Sequence, residues 1–108
     1  MTRVKSGVLV SAALRYANKT LIDCVLERRG DADAGAIFVH IDALDGRHKL
    51  LARSLNFEGE YEWQFITNTE WVDAEAAAIR LAAEIKMDQD AFIVSVCDVE
   101  ARNPFEAL

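Results

Sequence analysis

Residues 36–55, AIFVHIDALDGRHKLLARSL, constrain the fold more than any other part of the chain. AIFVHID is β-branched and aromatic, the composition of a strand near the centre of a sheet. KLLARSL is a second apolar run, and Asp45-Gly46 lies between the two. Both central positions of a type I′ turn need positive φ, so Asp-Gly flanked by such runs signals a hairpin. In that register Leu44 faces Arg47, Ala43 faces His48 and Asp42 faces Lys49. The last is an opposite-charge pair worth about 0.2–1 kcal/mol.

The flanking segments extend this into a sheet. Residues 21–29, LIDCVLERR, alternate, with Ile22, Cys24 and Leu26 on one side and Asp23, Val25, Glu27 and Arg29 on the other, as in a half-buried strand. GDADAG connects it to the next strand, and its terminal glycines make it the bend of a β-hairpin. NFEGE at 56–60 is a further turn, followed by YEWQFIT, which places Tyr61, Trp63 and Phe65 on one face. Short turns between consecutive strands make them antiparallel.

Two helices complete the pattern. Residues 7–18 put Leu9, Ala12, Ala13, Tyr16 and Ala17 at helical spacing, with Ser6 or Ser11 available as a cap. Residues 73–87, DAEAAAIRLAAEIKM, have Asp73 as N-cap and a stripe of Ala74, Ala78, Leu81, Ala82 and Ile85 expected to be buried. AFIVSVCDVE at 91–100 reads as a last strand whose pairing direction the sequence leaves open, and the tail is expected to lie along the surface. The expected fold is α+β, a single domain over residues 1–108. It has a mainly antiparallel four- to five-stranded sheet, order α-β-β-β-β-α-β, with helices packed on one face.

With 108 residues, 52% apolar and 28% charged, the chain has the size and composition of one soluble domain with a real core. No apolar run reaches the ~20 residues of a membrane span. The N-terminal basic and apolar stretch is interrupted by Ser11, Arg15 and Lys19, and reads as part of the mature fold rather than a signal peptide. Cys24 and Cys97 lie in strand-like runs without a CxxC spacing, which suits free buried thiols in a reducing, cytoplasmic compartment. Residues 1–54 hold 9 Lys/Arg against 6 Asp/Glu, and residues 55–108 hold 3 against 12, within a net charge of −6. That acidic balance makes nucleic acid an unlikely partner. Its polarity is compatible with self-association, as in a homodimer, although solvated surface explains it more simply.

The segment RRGDADAGAIFVHID, after KSGVLVSAALR and before an LDG turn, resembles the domain of unknown function 1491, a family of small alphaproteobacterial proteins. The resemblance covers nearly the whole chain and is most distinctive from Arg28 through Gly35. It implies a cytoplasmic bacterial protein, and no activity, substrate or catalytic residue.

Candidate chemistry is sparse. Arg28 and Arg29 suit a phosphate or carboxylate, and Asp31 and Asp33 a divalent cation through oxygen ligands. Alternation sends the two arginines to opposite faces, however, and Asp31 and Asp33 are suited to bond their own loop backbone. Arg29-Gly30-Asp31 spells an adhesion tripeptide by chance. His40 and Asp42 share a strand face, while the type I′ register turns His48 away, so no metal site is expected. No phosphate loop, dinucleotide fingerprint or nucleophile elbow is present, Ser54 and Ser95 lack a triad context, and no cofactor is implied. Trp63, Phe65 and Trp71 are candidates for a partner-binding aromatic patch, against the alternative that they pack under a helix. The residues favour a non-enzymatic interaction or regulatory module with a protein partner or a second copy of itself. The alternative is a phosphate-ligand or divalent-metal protein or enzyme built on residues 28–33.

Overall fold

The computed structural model of the protein describes residues 4–108. Along the chain run α1 (Ser6–Lys19), β1 (Asp23–Arg28), β2 (Ile37–Asp42), β3 (His48–Leu55), β4 (Tyr61–Phe65), α2 (Ala74–Met87), β5 (Phe92–Cys97) and a 3₁₀ helix at Pro104–Ala107. The expected α-β-β-β-β-α-β order is therefore present, in an α+β domain with one five-stranded sheet.

The strand order is β1-β5-β2-β3-β4. β5 pairs antiparallel with β1 and parallel with β2, which resolves its direction both ways. β1 and β2 are consequently not a hairpin, and the expected turn at residues 27–36 is a bridge over an inserted strand. The physical reason lies in the strands themselves. FIVSVC is buried along almost its whole length, so β5 gains most between two neighbours. DCVLER alternates exposed and half-buried residues, which suits an edge.

That insertion explains the glycines of GDADAG. The loop passes directly over the start of β5, where Asp31 N donates to the Asp90 carbonyl at 2.8 Å and Phe92 N donates to the Ala36 carbonyl at 2.8 Å. A β-carbon on Gly35 would stand 2.5 Å from the Asp90 carbonyl oxygen, and one on Gly30 would overlap the same atom. Close backbone approach, rather than a tight bend, is what requires glycine here.

The helices divide between the two faces of the sheet, a departure from the expected one-sided packing. α1 buries Val10, Ala13 and Ala17 against Ile37, Val39, Ile41, Phe92, Val94 and Val96. Ser6 does not cap this helix, because its Oγ donates instead to the Gly35 carbonyl at 2.7 Å. α2 begins as expected, with the Asp73 carboxylate accepting from Ala76 N. It lies on the opposite face over β3, where Ala77 is its one fully buried residue. The expected stripe of Ala74, Ala78, Leu81, Ala82 and Ile85 is not sealed. A helix is ~10 Å wide, whereas five strands at ~4.8 Å spacing span ~19 Å. One helix over β3 therefore leaves the β1 side of that face open.

The tail is more than surface. Pro104 and Phe105 are buried, and the Phe105 ring packs 4.9 Å from that of Trp63. Asp98, itself buried, anchors this segment by accepting from Arg102 N, Nε and Nη2 at 2.8–3.0 Å.

Candidate functional site

The open half of the α2 face forms a groove of about 790 Å³. Ala78, Leu81, Ala82 and Ile85 of α2 form one wall, and Ile93 of β5 contributes to the floor. Polar groups enter from the sheet: Glu27 and Arg28 from β1 and His40 from β2, with Lys86 and Gln89 at the end of α2. The groove is shallow and open to solvent, but its mostly apolar lining with a few convergent polar groups has the composition of a ligand site.

Two register features aim these side chains. The first is a bulge in β1. Leu26 pairs with Val94, but Arg28 pairs with Ile93, which leaves Glu27 as the extra residue. Cys24 and Leu26 pack toward α1, so unbroken alternation would send Arg28 there too. The bulge turns it onto the groove face, and Arg29 joins Gly7, Val10 and Leu14 on the α1 side. The arginines thus part as expected. Arg28 Nη2 donates to the Gln89 carbonyl at 2.7 Å.

The second is the β2–β3 hairpin, which is one residue out of the expected register. Asp42 pairs with His48, and Ile41 with Lys49. The turn is a wider loop closed by Ala43 N donating to the Arg47 carbonyl at 3.1 Å, with positive φ at Leu44 and Gly46. Asp42 Oδ1 takes the Leu44 N–H at 2.8 Å, which stabilises the wider form. A one-residue slip flips every side chain on a strand. His48 therefore joins His40 and Asp42 instead of pointing away, and Lys49 pairs with Glu70 rather than Asp42.

His40 Nε2 and His48 Nδ1 stand 2.9 Å apart, a hydrogen bond in which one ring donates and the other accepts. Asp42 Oδ1 lies 3.9 Å from His48 Nε2. Burial, and then the neighbouring His48, hold His40 below the usual histidine range, against weaker opposing pulls from Glu27 and Asp42. Among the described residues no group of three or more His, Cys, Asp or Glu is arranged to hold a metal ion.

The 28–33 loop does not bring its charges together. Asp33 pairs with Lys5 at 3.3 Å, Asp31 Oδ1 accepts from Asp33 N at 3.4 Å, and Arg28 and Arg29 occupy opposite faces. The aromatics are also divided. Trp63 is covered by Phe105, Phe65 is about half exposed, and Trp71 is flanked by Arg47 at 4.4 Å and Lys49 at 4.6 Å. The thiols are subdued: burial, then Asp23, raises Cys24 to about 11, and burial also raises Cys97.

The sequence profile of a family described as "Protein of unknown function (DUF1491)" matches residues 4–106. The chain belongs to this family. Its fold is similar to the crystal structure of a DUF1491 family protein from Caulobacter crescentus CB15. That likeness has a TM-score of 0.84 at 22% identity, over 94% of each chain. An NMR structure of a DUF1491 family protein from the same organism gives a TM-score of 0.76 at 25% identity, over 96% of this chain and 94% of that one. The solution structure of protein Atu0922 from A. tumefaciens gives 0.73 at 27%, over 89% of this chain and 86% of that one. No curated protein matches the chain. The function of this family is not known.

Proposed function

We propose that this DUF1491 protein is a non-enzymatic regulatory module of the bacterial cytoplasm that binds a small ligand in the groove between α2 and the sheet. The observation that carries this reading is the unsealed α2 stripe, Ala78, Leu81, Ala82 and Ile85, facing Ile93 across about 790 Å³. Leaving that apolar wall open forgoes stabilisation of ~25 cal/mol per Å² of surface, which a ligand with an apolar body recovers on binding. Binding is favoured over catalysis because the groove histidine is engaged with His48 and both thiols are held protonated. The same two free thiols support a reducing compartment. The alternative phosphate or metal site at residues 28–33 draws less support, since Asp33 is already paired with Lys5.

The test uses the neutral apolar dye Nile red. Saturable fluorescence enhancement in the wild type, lost in Ala82→Gln, is the expected outcome. Ala82 is exposed on the groove wall, so the variant should fold normally. Equal enhancement in both proteins, or none in either, contradicts the reading.

A further inference from the structure

We infer that the groove takes amphipathic carboxylates, with Arg28 as the group that receives the carboxylate; this rests on the groove being a ligand site. Arg28 faces the groove only because the Glu27 bulge re-aims it, and bulges beside binding sites commonly serve that purpose. Its guanidinium is half-buried and poorly satisfied. Nη2 donates to the Gln89 carbonyl, while the buried Nε has no hydrogen-bond partner. Among the described residues Arg28 forms no ion pair.

An uncompensated, partly desolvated guanidinium is the strongest carboxylate receptor that a side chain offers, because its fork matches the two oxygens. Glu27 borders the same groove with the opposite charge, but it is exposed and more fully screened by water. Lys86 adds a second cation at the α2 end. The alkyl part of the ligand then lies along Leu81, Ala82, Ile85 and Ile93. An acyl chain with a terminal carboxylate satisfies both halves of this surface at once.

Octanoate and 1-octanol separate the two claims, since they share an apolar body and differ in charge. Titrations followed by amide chemical shifts are expected to show octanoate binding about tenfold more tightly than octanol, the ratio for one charge-assisted contact. Arg28→Gln should erase that preference and leave octanol affinity unchanged, and Arg28→Lys should restore part of it. Lys86→Gln should preserve most of the preference. Equal binding of the two probes, or a preference that survives Arg28→Gln, overturns the role of Arg28 and leaves the groove reading standing. Binding of neither probe to the folded wild type overturns the groove reading and this inference with it. The amide spectrum of each variant reports its folding directly, and Arg28→Lys keeps the test decisive if Arg28→Gln unfolds.

Discussion

His40 Nε2 meets His48 Nδ1 at 2.9 Å because the β2–β3 hairpin closes on the pair Asp42–His48. The contact accommodates one proton and excludes a second. Protonating both rings places two cations against each other on a half-buried surface.

Stability should therefore fall as pH drops below the usual histidine range. The folded pKa of His40 lies below its unfolded value of 6.5. In the window between those two values the unfolded chain binds more protons, so unfolding is favoured as pH falls through it. His40→Gln should flatten the pH dependence of the urea midpoint as pH falls below the unfolded value of 6.5. An unchanged slope in the variant would contradict the assignment.

Gly35→Ala should be more damaging than Gly46→Ala. A methyl at 35 must displace the Asp90 carbonyl, which costs about 3 kcal/mol. Gly46 has open space around it and only the positive-φ penalty of about 1 kcal/mol. Urea unfolding of the two variants ranks them directly, and the reverse order would mean that residues 29–36 do not ride over β5.

Asp98→Asn should cost about 2 kcal/mol, the scale of hydrogen bonds to a charged group, moderated by the partial exposure of Arg102. Hydrogen bonding from Arg102 holds the Asp98 carboxyl below its ordinary value. The wild-type contribution is thus present above about pH 4 and lost as pH falls through the folded pKa, a loss that the variant should lack. Tryptophan fluorescence should change as well, because Phe105 leaves Trp63 when the tail is released.

Local signals carried most of the element boundaries and little of the assembly. Asp73 specifies the start of α2, alternation locates β1, β4 and β5, and β-branched and apolar composition around Asp45-Gly46 locates β2 and β3. Adjacency was a different matter. GDADAG reads as a bend because glycine serves tight turns and close backbone contact equally well, and only the insertion of β5 decides between them. The histidine pair was hidden by a single residue of register. Asp45-Gly46 fits a two-residue turn, but the Asp42 side chain captures Leu44 N and widens the loop. Arg28 was singled out from its charge and its partner Arg29, while the bulge that aims it has no sequence signature beyond an exposed Glu27. The groove itself follows from the mismatch in width between one helix and five strands, a quantity that no local window contains.

The most direct test of the central claim is a map of the amides that shift when 1-octanol is titrated into the wild-type protein. One contiguous set is expected at His40, Ala78, Leu81, Ala82, Ile85 and Ile93, saturating together. Shifts centred instead on residues 31–35, or on Trp63, Phe65 and Trp71, would contradict it and move the binding surface elsewhere on the molecule.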